Sequence, residues 1–586
     1  MWKLLRNLKV RDALLFILEI GIVYACCYLE LKIPDYMQNL TAIIQSGVND
    51  IGEVWIAGGK MLLCALGGTI GTIVSGYISA YISSNLSYNI REKLFNHIVD
   101  LDTTTIKDFS TASLITRTTN DITQIQMTVS MGLTMIIKAP ILAVMGILKI
   151  IDKSWQLSLI TAIAVVIIVA LILTVMLMVF PKFRIVQKLT DDINRIGRET
   201  LAGNKVIRAF NAEKYQEDKF ENANGQLVDT QLYNRTRLSV MMPTMSLVMS
   251  LLSLAIYWIG SSLINQAALV EKGELFGNVV VFSSYAMYII QAFMFLCMIF
   301  MMFPRAQVSA RRINGVLNSP IKIEEGDVGT GSHLSGEIEF RNVSFHYKDG
   351  ENVLENISFS AKKGETVAFI GTTGAGKSTL VGLAARLYDA TEGEVRIDGI
   401  DIRDYSFRSL YSKIGYIPQK AVLFSDTVRN NIVFGEKDPP IREEDVWEAI
   451  DIAQAKDFVD RLPNCLEGEI AEGGNNLSGG QKQRLSIARA VSRKPEILIF
   501  DDSFSALDYK TDKELRRRIS SDLKDTTCLI VAQRIGTIRN ADRIVVLDEG
   551  KIVGSGTHEE LLENCAVYRE IAVSQMSEEE LTKGGN

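Results

Sequence analysis

Residues 366–378 read TVAFIGTTGAGKS, an apolar β-rich run that turns at Gly371, Thr372, Thr373, Gly374, Ala375 and Gly376, then enters an apolar helical stretch through Lys377, Ser378 and Thr379. The spacing is GxxxxGK[ST] in a strand, loop, helix context. Glycines in such a loop let backbone N–H groups converge on phosphate oxygens at a helix N-terminus, the lysine reaches the β- and γ-phosphates, and the hydroxyl after it ligates magnesium. Residues 371–379 are therefore the expected nucleotide cradle, with ATP and Mg2+ as its ligands. About 120 residues on, ILIF (497–500) reads as a buried strand that ends in Asp501 and Asp502. The first carboxylate at the end of such a strand holds the magnesium shell, so Ser378 and Asp501 are the expected metal ligands.

Between these elements lies LSGGQKQR, Leu477–Arg484. Two glycines after a serine at a helix start make an anion-binding N-terminus, although the same residues also describe an ordinary serine-capped helix. With this motif the chain resembles the ATP-binding-cassette family. The resemblance implies that Ser478, Gly479, Gly480 and Gln481 close on the γ-phosphate held by a partner's cassette. It also implies roles for Tyr347 (stacking on adenine), Gln419 at the end of IGYIPQ (touching magnesium and sensing the membrane domain), Glu472 (the acidic cross-link position) and Asp508 in SALD (crossing the dimer interface).

Two positions depart from the family's pattern. The residue after the Walker B aspartate is normally a glutamate that polarises the attacking water; here it is Asp502, one methylene shorter. Its carboxylate is withdrawn by about 1 to 1.5 Å, and misplacement on that scale costs roughly 10²-fold in rate. The switch histidine of the family is replaced by Gln533 in VAQR, and none of His97, His333, His346 or His558 can stand in for it by spacing. Glutamine donates a hydrogen bond but does not become cationic. The chain thus resembles the degenerate-site subunit of heterodimeric bacterial multidrug exporters, which implies a second half-transporter as partner and hydrolysis mainly at the site completed by this chain's intact signature.

Ahead of the cassette the composition changes. Across 586 residues 47% are hydrophobic and 22% charged, and the apolar ones concentrate into six segments at about 13–33, 56–82, 129–150, 156–180, 239–265 and 277–303, each near the roughly 20 residues that cross a bilayer core. A net charge of −6 with no basic block gives nucleic acid no electrostatic foothold. The seven cysteines have neither metal-ligand nor disulfide spacing and read as reduced packing residues. Trp2, Leu4, Leu5 and Leu8 against Lys3, Arg6 and Lys9 suit a short interfacial helix rather than a signal peptide, since Glu19 interrupts the apolar core.

Lysine and arginine crowd the segment before the first span and the stretches 83–128 and 181–238, while 35–53 has none. The positive-inside rule then puts both termini and the nucleotide-binding domain in the cytoplasm of a multi-pass membrane protein. Leu189, Ile193 and Ile196, then Val206, Ile207 and Phe210, extend helical spacing into the long basic connections. By the resemblance, the tips of these connections carry short helices near Thr103–Phe109 and Ala212–Glu217 that contact the cassettes. Pro34, Pro140, Pro181, Pro243 and Pro304 can kink or stop their helices. Met241, Met242, Met245 and Met249, with Met287, Met294, Met298, Met301 and Met302, supply adaptable surface of the sort that suits promiscuous binding, or ordinary packing. Glu19 is either a functional intramembrane charge or one that snorkels from near the inner end.

The expected fold is an α-helical six-span transmembrane exporter domain joined to an α/β P-loop domain. The expected divisions are 1–12, an interfacial elbow helix; 13–305, the transmembrane domain; 306–335, a polar linker; and 336–586, the nucleotide-binding domain. The expected activity is ATP-driven export of hydrophobic or amphipathic small molecules in contact with membrane lipid. The alternatives are a lipid or peptide exporter, or a regulatory cassette protein that ATP gates without stoichiometric pumping.

Overall fold

The computed structural model describes residues 2–6, 8–45, 51–151, 153–267, 272–329, 336–348, 350–435 and 439–575. They group into two compact units, Met1–Val99 with Thr111–Ser319, and Asp100–Ser110 with Pro320–Asn586. His333, the end of the expected linker (330–335) and the terminal 576–586 lie outside the described residues.

The first unit is helical. In chain order its helices are α1 (Trp2–Leu5), α2 (Val10–Gln45) and α3 (Ile51–Asp100); α4 (Thr103–Phe109) groups with the second unit; then come α5 (Thr111–Thr116), a π-helical turn at Arg117–Asp121, α6 (Ile122–Ile151), α7 (Trp155–Ala202), α8 (Asn204–Ala209), α9 (Glu213–Gln266) and α10 (Lys272–Leu317). Six stretches are long and apolar enough to cross a membrane, namely α2, α3, α5 through α6, α7, α9 and α10. Each overshoots its expected span: the 50 residues of α3 extend about 75 Å at 1.5 Å per residue, so the helices continue far beyond an apolar layer. The helices run through Pro34, Pro140, Pro181, Pro243 and Pro304 without ending there.

Tyr285, Phe282 and Ile289 of α10 are fully buried, packed with Val248 and Leu252 of α9 and Leu142 of α6. Leu62, Ile73, Leu173 and Leu177 face outward, as a bundle solvated by hydrocarbon allows. Met241 and Met245 are packed inside this core, whereas Met242 and Met298 are exposed. The fifth-span methionines thus divide between packing and surface; the side chain of Met301 lies outside the described residues.

Three expectations are corrected here, and one open alternative is decided. The elbow over 1–12 is helical only at Trp2–Leu5, and Val10 already belongs to α2. The Asp12 carboxylate accepts the Lys9 N–H at 3.0 Å and the Asn85 amide at 2.8 Å, which caps the long helix before it can run back to α1. Glu19 does not snorkel: it is fully buried and accepts from the hydroxyls of Ser79 at 2.5 Å and Thr134 at 3.3 Å. The linker does not begin at 306, because Ala306, Ala310, Ile313 and Val316 are all buried on one face of α10, which ends at Leu317. The second tip helix is Asn204–Ala209 rather than Ala212–Glu217: Gly203 closes α7, Asn211 adopts a left-handed conformation with φ 50°, and Glu213 starts α9. The first tip, α4, has the expected bounds, capped by the Asp102 carboxylate on the N–H of Thr105 at 3.0 Å.

In the second unit the strands are β1 (Ile338–His346), β2 (Asn352–Ala361), β3 (Thr366–Gly371), β4 (Glu392–Ile397), β5 (Ile400–Asp401), β6 (Ile414–Ile417), β7 (Asp426–Thr427), β8 (Glu469–Ile470), β9 (Ile497–Asp501), β10 (Thr527–Val531), β11 (Arg543–Asp548) and β12 (Lys551–Gly556). The main sheet has the order β12-β11-β3-β10-β9-β6 and is parallel except for the edge pair β11 and β12. An antiparallel sheet, β2-β1-β4-β5, packs beside it through Phe340, Phe359 and Phe369, with ring centroids 4.6 Å and 5.1 Å apart in sequence. β9 and β10 are buried along their whole lengths, as parallel strands covered on both faces must be.

Leu529 in the middle of β10 is fully buried, whereas Val553 on the edge strand β12 is 46% exposed. Leu529→Ala is expected to destabilise the full-length protein in detergent by about 2 to 5 kcal/mol, and Val553→Ala by less than about 0.5 kcal/mol. Denaturant titration of both variants checks this, and equal midpoints would contradict the sheet order.

Candidate functional site

The site assembles where β3, β9 and β10 end side by side. Parallel pairing places Val531 opposite Phe369 on one side and opposite Asp501 on the other. The loop after β3, the carboxylates after β9 and the residues after β10 therefore open on the same edge. Gly371 leaves β3 so close to β11 that a Cβ would lie 1.9 Å from the Leu547 carbonyl oxygen; only glycine fits. Gly376 caps the helix Lys377–Ala384 at φ 90°, and a Cβ there would stand 2.9 Å from the Val353 carbonyl oxygen.

The side chains match the chemistry of a Mg2+-nucleotide. Ser378 Oγ donates to Asp501 Oδ1 at 2.7 Å, so two of the three expected metal ligands already meet, while the third, Gln419, donates to Asp502. Lys377 Nζ donates to the carbonyls of Gly371 and Thr372, both at 2.8 Å, and burial holds its ammonium below the usual lysine range. A phosphate would replace those two neutral acceptors with charged ones. Tyr347 sits at the rim, 37% exposed, edge-on to Phe345 and Tyr388, with its hydroxyl 3.0 Å from Thr379 Oγ1. Thr372 Oγ1 donates to Asp548 at 3.2 Å. Thr373, Gly374 and Ala375 complete the loop between β3 and the helix.

Asp502 is 6% exposed, and its backbone is left-handed at φ 49°, a conformation that Asp tolerates better than most residues. One oxygen, Oδ2, accepts from Gln533 Nε2 at 2.7 Å and from Gln419 Nε2 at 3.2 Å. Burial pushes this carboxyl above the usual aspartate range, while the two amides pull it back. Gln533 is itself held by Gln575, which donates to its carbonyl at 2.8 Å.

The structure also brings in a residue that sequence reasoning passed over. Tyr416 on β6 donates to Asp501 Oδ2 at 3.2 Å. The register pairs Tyr416 with Ile499, two residues before Asp501 and on the same face, a pairing that the local pattern of IGYIPQ does not state.

The remaining motif residues stand elsewhere on the unit. Ser478 caps the helix Gly479–Val491 in a reciprocal box, with Gln481 N donating to Ser478 Oγ at 3.3 Å and Ser478 N to Gln481 Oε1 at 2.8 Å. The serine-cap reading is what the geometry displays, with Gln481 occupied by the cap. Ser478 and Gly479 are exposed, and a Cβ on Gly479 would meet nothing within 4 Å. Glu472 is exposed in a 3-10 turn, and Asp508 caps Tyr509–Asp522 by accepting from Thr511 N at 3.0 Å. Among the described residues no three His, Cys, Asp or Glu side chains form a metal cluster, and the seven cysteines are free.

Comparisons with known proteins agree with this arrangement. The family described as ABC transporter matches residues 354–505, and that described as ABC transporter transmembrane region matches 37–293. An uncharacterized ABC transporter ATP-binding protein of Mycobacterium bovis is 38% identical over 88% of this chain and 87% of its own. A multidrug resistance ABC transporter ATP-binding and permease protein of Lactococcus lactis is 29% identical over 98% and 95%. An ATP-dependent lipid A-core flippase of Syntrophus aciditrophicus is 32% identical over 84% and 81%. The fold superposes on a bacterial Atm1-family ABC exporter solved with ATP bound, with a TM-score of 0.78, 24% identity and coverage of 97% and 98%.

Lys377→Ala is expected to weaken ATP binding by tenfold or more, the loss of a charge-assisted contact of about 1.5 to 3 kcal/mol. Asp501→Asn should remove the dependence of binding on Mg2+, and Glu472→Ala should change neither. Equilibrium binding of a fluorescent ATP analogue with and without a chelator reads all three.

Proposed function

This chain belongs to the ATP-binding-cassette transporter family, and from that premise we propose that it is the degenerate-site subunit of a heterodimeric exporter of hydrophobic or amphipathic compounds. Its membrane region and single cassette are the parts of an exporter half-transporter. One observation carries the finer reading: the carboxylate in the position of the hydrolytic base is the short Asp502, with Oδ2 engaged by both Gln419 and Gln533.

The chemistry follows from what each residue can do. When bound, Mg2+ supplies charge neutralisation between the β- and γ-phosphates; Ser378 and Asp501 are placed to hold it. Lys377 and the loop N–H groups bind and orient the triphosphate. Asp502 is one methylene too short to reach an attacking water where a glutamate would, and its Oδ2 already accepts from two amide donors. Gln533 donates to Asp502 and carries no charge to offset that of the transition state. The chain's own site therefore holds nucleotide and turns it over slowly.

The signature has none of these defects. Ser478 caps a 13-residue helix that Gly479 and Gly480 begin, and Ser478 and Gly479 are exposed, which suits a γ-phosphate brought by a second cassette. A homodimer would combine two slow sites, so an intact signature has a use only beside a partner with a glutamate and a histidine. The likeness to a multidrug transporter supports a small hydrophobic substrate; the likeness to a lipid A-core flippase supports a lipid as the second reading. The bias of lysine and arginine supports a cytoplasmic position for the ATP-binding unit. For coupling, α4 and α8 are the proposed levers. α4 already groups with the ATP-binding unit, where Asp108 pairs with Lys348, the neighbour of Tyr347, at 2.5 Å.

In the heterodimer, Gly480→Tyr is expected to abolish nearly all ATPase activity, and Asp502→Asn to cost less than about threefold, since little catalysis passes through it. Steady-state ATPase on both, with nucleotide binding confirmed, reads the difference. A larger loss from Asp502→Asn would make this chain the main hydrolytic subunit.

A further inference from the structure

A second candidate site lies inside the membrane unit, on the face of α2 that meets α3 and α6. α2 carries the carboxylates Asp12, Glu19, Glu30 and Asp35. Three of these have donors or cations of their own: Asp12 the Lys9 N–H and the Asn85 amide, Glu30 the Lys138 ammonium at 2.7 Å, and Asp35 the Lys149 ammonium at 2.6 Å. Glu19 differs. It is fully buried, and its Oε1 faces only the hydroxyls of Ser79 at 2.5 Å, Thr134 at 3.3 Å and Ser75 at 3.4 Å. Among the described residues its other oxygen, Oε2, has no hydrogen-bond partner, and no lysine or arginine pairs with it.

Helix packing alone does not account for this group. Ser75, Ser79, Ser83 and Ser87 recur at every fourth position of α3 and all are buried, and small residues at that spacing let helices approach closely. Ser83 fits that role, its hydroxyl donating to the Ala80 carbonyl of its own helix at 3.0 Å. An apolar side chain in place of Glu19 would serve such an interface equally well. A carboxylate in apolar surroundings is instead costly until its charge is neutralised. Ser79 Oγ and Thr134 Oγ1 stand 2.9 Å apart, so the hydroxyl oxygens gather around the carboxylate from two helices.

We infer that Glu19, Ser75, Ser79 and Thr134 form a binding site for a small monovalent metal cation such as sodium. Every donor is a hard oxygen, the class that takes ions of this type. One carboxylate balances one positive charge, whereas a divalent ion would leave an excess in apolar surroundings. A proton on Oε2 would also neutralise the carboxylate, but its O–H would then have no acceptor among the described residues. Full burial of Glu19 admits no organic cation. Ser83 and Ser87 continue the serine face by two further turns, and Ser87 Oγ is likewise without a partner among the described residues, so an ion moving along that face meets oxygen rather than hydrocarbon. The site depends neither on the transported compound nor on the fate of ATP.

The test is the thermal unfolding midpoint of the full-length protein in nonionic detergent, without nucleotide or magnesium, titrated with sodium chloride. N-methyl-D-glucamine chloride keeps the ionic strength constant. An ion that binds only the folded state raises stability with the logarithm of its concentration above Kd, so the midpoint should climb with sodium and stay flat with the organic cation. Glu19→Gln should abolish the sodium response, while its midpoint in the organic cation is no lower than that of the unaltered protein. Thr134→Val, which keeps both the carboxylate and the side-chain shape, should need about tenfold more sodium for the same shift, on the scale that losing one partner of a metal site costs. Equal midpoints in sodium and in the organic cation would assign the neutralising charge to a proton and overturn the site. A sodium response that survives in Glu19→Gln, or that Thr134→Val leaves unchanged, would put the ion elsewhere and overturn it equally.

Discussion

The register of one parallel strand pair underlies the chemistry of this protein. With Val531 opposite Asp501, the chain leaving β9 turns at Asp502 exactly one residue past the sheet edge while the chain leaving β10 reaches Gln533 two residues past it. The amide of Gln533 then lands 2.7 Å from the carboxylate of Asp502. A slip of one residue would send each side chain to the opposite face, and neither contact would exist.

The same edge explains why binding and hydrolysis can be separated. Binding depends on backbone N–H groups, on Lys377 and on the Ser378 and Asp501 pair, all positioned by β3, β9 and the helix after the loop. In the proposed reading, hydrolysis depends in addition on the length of one side chain and on the charge of another. By the proposed reading, glutamate in place of Asp502 and histidine in place of Gln533 would restore turnover on the same sheet edge. A site can therefore lose turnover while keeping its architecture and its nucleotide.

The ATP-binding unit was far more legible in the sequence than the membrane unit's details. Short motifs carry their own geometry: TTGAGKS cannot form a cradle without a strand before it and a helix after it, and its residues meet as expected. Tyr416 escaped notice because its role depends on the register of β6 against β9, which no local pattern states. In the bundle, periodicity located six spans but not their ends. α10 continues past Pro304 because Ala306, Ala310 and Ile313 bury one face beyond the apolar run. Glu19 is enclosed by hydroxyls on two other helices, a tertiary circumstance that hydropathy does not encode. The position of α8 turned on the left-handed Asn211, a single backbone angle.

The proposed slow turnover at the chain's own site rests on two side chains, Asp502 and Gln533, in an otherwise complete cradle. The most direct measurement restores both: Asp502→Glu with Gln533→His in the purified full-length protein, assayed for steady-state ATP hydrolysis in the absence of any partner, with ATP affinity determined in parallel. The prediction is a rise in turnover of about 10²-fold, the scale expected for regaining a correctly placed base, at unchanged affinity. Turnover that stayed at the starting level while ATP still bound, or an unsubstituted chain already hydrolysing at about 1 to 10 per second, would contradict it.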